Sequence, residues 1–237
     1  MHDRSFFFTN FEQRELNQSG VITIASANAN AINARLRTTG YAGSLLAIST
    51  TAPTTLYSNP VRSSNFFAKL DQSVGSRDLL SVRYSLYAVT SINSRGVGST
   101  SYFSAGAGLD DLDQTFAVNN ILTNSSGTVN ETRGQVVRSN LTAAVNDPVG
   151  PAVSISGIGS FGTLSSSPTA RFDWLYEIVD NVSHQAGAHS LRAGADFLNN
   201  DLKITFPQSL RGSYAFSSLA NFQAGRYTTS PSPSATT

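Results

Sequence analysis

One hairpin, Arg171 to Phe197, alternates between apolar and polar residues along both of its predicted strands. In the first strand Phe172 and Trp174 fall on one face, and Asp173 and Glu177 fall on the other. This follows because successive side chains of a strand point to opposite faces. In a soluble sandwich the apolar face forms the core, whereas in an outer-membrane barrel it meets lipid and the polar face lines the lumen. The choice between these two arrangements decides what the protein does.

The composition excludes several functional classes. Only 13% of the 237 residues are charged, about half the usual share, and 40% are hydrophobic, so no rich core offsets the low charge. The net charge of +1 argues against a nucleic-acid partner. Cysteine is absent, which removes disulfide frameworks, thiolate nucleophiles and cysteine metal sites. No apolar run approaches the roughly 20 residues of a membrane helix.

The predicted connections alternate between short and long. Tight turns are expected near Gly75, Ser126 and Gly187, and long Gly/Ser-rich loops over 90–108 and 145–168. Outer-membrane barrels have short periplasmic turns and longer extracellular loops, whereas a soluble sandwich has no reason to sort its loops in this way. The predicted strands are about 10 residues or longer, which is a membrane-crossing length, while soluble strands average about five or six.

The sequence therefore predicts an all-β fold: a partial antiparallel transmembrane β-barrel of about eight strands. The only good helical stretch is Ala27–Arg37, which is too short to cover an aromatic sheet face of this size. Predicted strands besides those of the hairpin are Arg4–Leu16, Ser19–Ser26, Asn65–Gln72, Leu79–Ala88, Leu112–Thr123 and Val129–Ser139, with Lys203–Phe206 and Tyr214–Phe222 as one or two more.

The alternation assigns individual side chains to the two faces. We expect the polar set to face the lumen, where its members brace the wall or meet a plug: Lys69, Asp71, Arg83, Glu131, Arg133, Asp173, Glu177, Arg192 and Asp196. We expect the apolar set to face lipid: Leu80, Val82, Tyr84, Leu86, Phe172, Trp174, Tyr176, Leu191 and Phe197.

Two motifs invite a chemical interpretation. Gly157, Gly159 and Gly162 match GxGxxG, but a dinucleotide site needs a helix after the third glycine, and the segment 163–168 that follows cannot be helical. A glycine-rich loop is the better interpretation. The three carboxylates that crowd a predicted loop end could ligate calcium, although the EF-hand spacing is missing and a solvated loop–strand junction is favoured: Asp110, Asp111 and Asp113.

No catalytic constellation stands out. His184 and His189 flank the Gly187 turn without a third ligand, which is typical of turn histidines and not of a metal site. Asp173 and Glu177 lie on one face of one strand and not across a cleft, so a glycosidase has no support. We predict no enzyme activity, no cofactor, no metal site and no nucleic-acid partner.

Four segments resemble strands of the Oar-like TonB-dependent outer-membrane receptors. Asn65–Leu86, NFFAKLDQSVGSRDLLSVRYSL, is similar to a family hairpin with an acidic residue, a turn ending in Asp, and Arg-Tyr-Ser. SFFFTNFEQRE resembles the first barrel strand, TVNETRGQ the Asn-Glu-x-Arg strand, and HSLRAGADF the His-x-Leu-Arg/Lys-x-Gly-x-Asp strand. Together they cover most of Arg4–Phe222, in the order of the family.

This resemblance implies a transporter whose substrate binds extracellular loops and a plug, and whose plug is opened by a TonB-type energy-transducing protein. Family members begin with a signal peptide, a TonB box and a plug, and their barrels have about 22 strands. We therefore expect residues 1–227 to be a partial outer-membrane barrel domain, with Met1 an internal or misassigned start. Residues 228–237 are expected to form a disordered Ser/Thr/Pro tail. The expected surroundings are the bacterial outer membrane and its lipid, and the substrate is unknown.

Two other classes remain open. A structural or adhesive surface β-protein would present binding surfaces on its long loops without transport activity. A soluble β-sandwich binding module would be soluble and monomeric without detergent, whereas a barrel segment would aggregate through its open edges.

Overall fold

The computed structural model describes residues 4–124, 127–206 and 208–228 and shows a mainly antiparallel β-protein with twelve strands and two α-helices in that part of the chain. The helices are α1, Ser26–Thr38, and α2, Leu219–Gln223. The strands are β1 (Ser5–Leu16), β2 (Ser19–Ile22), β3 (Thr55–Ser58), β4 (Val61–Ser73), β5 (Asp78–Arg95), β6 (Ala107–Thr123), β7 (Thr128–Ala143), β8 (Ala152–Ile155), β9 (Gly159–Gly162), β10 (Thr169–Ala186), β11 (His189–Thr205) and β12 (Ser213–Phe216).

Seven long strands form one antiparallel sheet in the order β1-β4-β5-β6-β7-β10-β11. Six of them, from β4 to β11, have between 13 and 18 residues, which is long enough to cross a bilayer when tilted. Neighbours in the sheet follow each other along the chain, apart from short strands in the connections, so the sheet is an up-and-down meander. The predicted all-β antiparallel fold is confirmed, with seven long strands where about eight were expected.

The connections alternate as the sequence predicts. A tight turn links β4 to β5 at Gly75, and another links β10 to β11 at Gly187. Both glycines have positive φ, 85° and 60°, which suits close hairpin turns. The turn predicted near Ser126 lies outside the described residues. At the opposite end of the sheet the connections are long, and together with the segment after β11 they contain the five short strands and two helices of the described residues.

The long connections pack together into a compact body, which we call the cap. It combines the β2–β3 hairpin, helices α1 and α2, and a three-stranded sheet in the order β12-β8-β9. Its core draws side chains from three long connections and from the segment after β11: Ile22, Ile24, Ala29, Ile32, Leu36, Leu46, Tyr102, Val153, Ile155, Phe161, Phe216 and Phe222. The main hydrophobic core of the described residues thus lies beyond the end of the long strands and not between sheet layers.

The sequence predicts part of this end of the molecule, and two of its predicted strands need correction. Helix α1 extends the predicted Ala27–Arg37 helix by one residue at each end. Lys203–Phe206 is not a separate strand, because Lys203 to Thr205 continue β11. Tyr214–Phe222, predicted as a strand, is split: β12 ends at Phe216, and α2 begins after Ser218, whose hydroxyl accepts a hydrogen bond from the Asn221 nitrogen at 3.1 Å.

In the described ranges, β1 and β11 are the two edges of the seven-stranded sheet, and neither pairs with a further strand on its outer side. No helix in those ranges is long and apolar enough to cross a membrane. The predicted boundary between residues 1–227 and a disordered tail falls at the end of the described chain, and residues 229–237 lie outside it.

Candidate functional site

The strand register collects the predicted lumen residues on one face of the seven-stranded sheet, the polar face. Directly paired residues of neighbouring strands share a face, and faces alternate along each strand. One lateral row runs Asp71, Ser81, Asn119, Arg133, Val179 and Asp196. By the same register all nine predicted lumen residues lie on this face: Lys69, Asp71, Arg83, Glu131, Arg133, Asp173, Glu177, Arg192 and Asp196.

The polar face is concave. A groove of about 540 Å³ on this face is lined by residues from six strands, from Lys69 on β4 to Asp196 on β11. Adjacent strands are about 4.8 Å apart, so side chains of six strands surround one groove only if the sheet curls around it. The curvature that begins a barrel therefore places the polar side chains on the inside.

Short ion pairs and hydrogen bonds hold several of these side chains. The Lys69 ammonium lies 2.9 Å from the Asp71 carboxylate, which also accepts a hydrogen bond from the Ser81 hydroxyl. The Arg133 Nε atom lies 3.9 Å from the Glu131 carboxylate. The Ser81 hydrogen bond joins β5 to β4, whereas each of the two ion pairs lies within a single strand.

The groove has opposite charges on its two sides. Lys69 and Arg83 are directly paired on β4 and β5, and among the described residues Arg83 has no carboxylate within ion-pair distance. On the other side Glu177 accepts a hydrogen bond from the Gln135 amide, and Asp196 likewise forms no ion pair within those ranges. The unneutralised charges on both walls give the groove a means of attracting a polar ligand or a polar protein segment.

The opposite side of the sheet is the apolar face. All nine predicted lipid-facing residues lie on it by the same register: Leu80, Val82, Tyr84, Leu86, Phe172, Trp174, Tyr176, Leu191 and Phe197. The assignment of each residue to one side of the sheet thus agrees with the sequence pattern. That the apolar face meets lipid and the polar face meets water stays a prediction.

Exposure on β10 is the reverse of a soluble strand. The aromatic residues Trp174 and Tyr176 are 38% and 42% exposed. The charged residues Asp173 and Glu177, on the concave side, are less exposed and half-buried. A contiguous exposed aromatic surface of this kind needs a covering, because soluble proteins rarely leave one open. The predicted contact with lipid would provide that covering, since no second layer of described residues packs against this face.

The apolar band crosses the sheet diagonally. Leu80 on β5 lies in the same lateral row as Ala195 on β11, but the apolar band of β11 begins at Leu191, four residues nearer the turn. The offset accumulates over four strand-to-strand steps, about one residue per step, which corresponds to a strand tilt of roughly 35° at a 3.3 Å rise and 4.8 Å spacing. Barrel strands tilt by about 35–45°, so this offset is the one expected for a band that lies level with a membrane.

Several polar residues lie within the apolar face, and sequence reasoning did not assign them; besides Gln114 and Arg138 they include Asp201, which pairs with Trp174. Gln114 and Arg138 continue the row of Leu86 towards Trp174. The Arg138 guanidinium lies 5.6 Å from the centre of the Trp174 ring, and its Nη1 donates to the Gln114 amide oxygen at 3.3 Å. The Gln114 amide nitrogen donates in turn to the Tyr84 hydroxyl at 2.7 Å. The signal in the sequence was that Arg138 lies two residues after Val136, so the alternation of the strand places this cation on the apolar face.

The candidate metal ligands do not converge. Asp110, Asp111 and Asp113 lie inside strand β6 and not at a loop end, and Asp110 projects from the face opposite to the other two. Within residues 4–124, 127–206 and 208–228, no group of three or more His, Cys, Asp or Glu side chains is placed to hold a metal ion. The Nδ1 atom of His184 lies 2.8 Å from the Thr128 hydroxyl, a contact at the turn end of the sheet.

The cap contains one buried carboxylate that joins distant loops. The carboxylate of Asp147, only 2% exposed, accepts hydrogen bonds from the backbone nitrogens of Ser44 at 3.0 Å, Val149 at 2.9 Å and Gly150 at 3.3 Å. Burial, with a further contribution from the negative charge of Asp147, raises the pKa of Tyr41 to about 12. The cap is therefore organised by polar contacts as well as by its core.

A wall of long tilted strands, concave and polar inside and apolar outside, defines an outer-membrane β-barrel protein. A family model described as "Outer membrane beta barrel domain" matches residues 49–237. The chain belongs to this family, and the predicted location in the bacterial outer membrane is confirmed. No curated protein and no solved structure matches the chain.

Proposed function

We propose that this chain is part of the barrel wall of a TonB-dependent outer-membrane receptor of the Oar-like type, which takes up a substrate by energised transport. The observation that carries the proposal is the groove on the concave polar face, with Lys69 and Arg83 on one side and Glu177 and Asp196 on the other. In a small barrel the wall's own side chains fill the interior, and such a barrel has no need of unneutralised charges on both walls of an internal groove.

The resemblance of four strand motifs supports the transport class over a passive wall. In such a receptor the lumen is occupied by a plug, and polar wall residues hold the plug until an energy-transducing protein displaces it. Arg83 and Asp196 are the residues that we expect to contact the plug, because they form no ion pair within the described ranges. On this proposal the cap lies on the extracellular side and forms part of the surface that substrate meets first.

The first test is the coding sequence on both sides of the chain. We expect the same reading frame to encode a plug and a TonB-contact motif upstream, and further barrel strands downstream. A complete short gene with its own signal sequence and stop codon, and no plug, would contradict the transporter and favour a structural or adhesive surface protein.

A second test asks whether the groove holds a plug. In the full gene product, a photo-crosslinking residue at position 83 should form an intramolecular crosslink to the upstream domain, detectable by mass spectrometry of the digested protein. The same residue at position 82, on the opposite face, is the matched control and should crosslink to lipid only. Crosslinks from position 83 to other barrel strands alone would refute the contact.

A further inference from the structure

The apolar face contains an arginine whose charge has no carboxylate partner in the described chain. Arg138 contacts Trp174 and Gln114 but forms no ion pair within residues 4–124, 127–206 and 208–228. A cation on the lipid side of a barrel costs about 2–4 kcal/mol at the bilayer midplane and close to nothing near the interface. Arg138 therefore belongs at the interface, where tyrosine and tryptophan also concentrate. Tyr84 and Trp174, at the two ends of its polar chain, fit that level.

An apolar groove lies directly below Arg138 on the same face. Its volume is about 390 Å³, and its lining includes Gly134. Gly134 lies on strand β7, four residues before Arg138 and on the same face of the sheet. Gly134 does not have the positive φ that would require glycine, and an added Cβ would meet only the Glu177 carbonyl oxygen, at 3.8 Å. The missing side chain therefore leaves open space and not a backbone constraint. The walls of the groove are Phe116, Val118, Val136, Tyr176, Ile178 and Phe197.

We propose that Arg138 and the Gly134 groove form a binding site for one phosphorylated lipid of the adjacent membrane leaflet. The guanidinium would bind the phosphate, since its planar donors match phosphate oxygens and the weakly hydrated cation tolerates an interface. Trp174 supports the guanidinium by the cation–π contact, and Gln114 fixes its direction. One acyl chain of the same lipid occupies the groove.

The arrangement of the site favours a lipid headgroup over a soluble anion. The cation and the apolar groove are contiguous, with only Val136 between Gly134 and Arg138 on that face, a separation of about 13 Å along the strand. A free phosphate would bind the Arg138 guanidinium and leave the apolar groove empty. The inference depends on the apolar face meeting lipid, but it is independent of whether the barrel performs transport.

The single tryptophan of the chain provides the measurement. Trp174 lies beneath Arg138, and the chain has no other tryptophan, so its fluorescence reports this site alone. The full chain in detergent micelles would be titrated with phosphatidic acid carrying brominated acyl chains, which quench tryptophan on contact. Diacylglycerol with the same brominated chains is the comparison without phosphate, and inorganic phosphate is the comparison without chains.

We expect phosphatidic acid to quench Trp174 with an affinity about tenfold above that of diacylglycerol, as one charge-assisted contact provides. Arg138→Gln should remove that difference, and Gly134→Leu should weaken phosphatidic acid about tenfold by filling the groove. Ala68→Leu, which adds a leucine to the same face on β4, and Arg37→Gln, on the exposed side of helix α1, are the controls and should change the affinity by less than about twofold.

Each alternative result overturns a defined part of the proposal. Equal affinity for diacylglycerol would remove the role of Arg138, and full competition by inorganic phosphate would show a site for soluble anions. Unchanged binding in Gly134→Leu would show that no acyl chain enters the groove. The selectivity of the unaltered chain for phosphatidic acid is decisive even where a variant fails to fold. Folding itself would be checked by circular dichroism.

Discussion

The carboxylate of Asp147, in the connection after β7, binds the backbone nitrogen of Ser44, which lies 103 residues earlier in the connection after β1. The two segments belong to different hairpins of the sheet, so the contact ties separate connections together at one end of the wall. The carboxylate is buried and also accepts hydrogen bonds from the backbone nitrogens of Val149 and Gly150. It therefore stabilises its own connection as well as the contact with the connection after β1.

We expect Asp147→Asn to loosen the cap. The amide nitrogen cannot accept the hydrogen bonds that the second carboxylate oxygen accepts, so a buried donor is left unsatisfied at a cost of about 1–3 kcal/mol. The measurement is the rate of limited proteolysis within the cap of the reconstituted chain. Asp201→Asn, on the exposed edge strand β11, is the control and should leave that rate unchanged. Equal proteolysis of both variants would show that Asp147 does not hold the cap.

The raised pKa of Tyr41 has a defined pH dependence. Its folded-state pKa of about 12 lies above the usual value of 10.0, so the folded chain retains this proton more tightly than the unfolded chain. The corresponding stability is fully present below pH 10 and is lost as the pH rises through 12. Absorbance titration of tyrosinate should show that one signal ionises late, and Tyr41→Phe should remove that signal. In Asp147→Asn the late signal should shift to lower pH, because the neighbouring negative charge is gone.

The cap core is expected to carry most of the stability outside the membrane. Ile32 is fully buried at 0% exposure, and Ile32→Ala should destabilise the cap by about 2–5 kcal/mol. Ile92→Ala provides the matched control, because that side chain is 57% exposed and should cost less than about 1 kcal/mol. Calorimetry of the reconstituted chain would compare the two. Similar losses in both variants would argue against a cooperative cap.

Neighbouring residues on one strand test which face meets lipid. The chain has no native cysteine, so Tyr176→Cys and Glu177→Cys each introduce one thiol, on opposite faces of β10. In liposomes, a water-soluble maleimide should label position 177 rapidly and position 176 more than about tenfold more slowly, since only the thiolate reacts and apolar surroundings suppress it. Trp174→Cys and Asp173→Cys repeat the comparison. Faster labelling at positions 174 and 176 would reverse the assignment of the two faces.

The faces of the long strands were predictable, because a period of two is a local property of each strand. Once Trp174 and Glu177 are placed in one strand, their opposite directions follow from backbone geometry alone. The register that brings Asp71 and Asp196 into one lateral row was not predictable in the same way. It depends on five successive strand pairings that no single segment encodes.

The cap could not be predicted, for a different physical reason. Contacts such as that between Tyr102 and the Ala47 nitrogen, at 2.8 Å, join connections that share no periodic pattern. Tyr214–Phe222 alternates well enough to resemble a strand, yet the hydroxyl of Ser218 caps a helix there. Arg138 was overlooked because its partners, Gln114 and Trp174, lie on two other strands. The residue pattern of one strand cannot show a contact that joins side chains of three strands.

A cap whose core takes side chains from four separate segments of the chain constrains how this protein can change over time. In a barrel with independent loops, each loop can lengthen, shorten or vary its sequence without consequence for the others. Here a change around Phe161 must remain compatible with Ile24, Tyr102 and Phe222 at once. We therefore expect sequence variation to concentrate at exposed positions of the cap, such as Val149 and Leu210. Substitutions in its interior should occur together with compensating substitutions in the other segments.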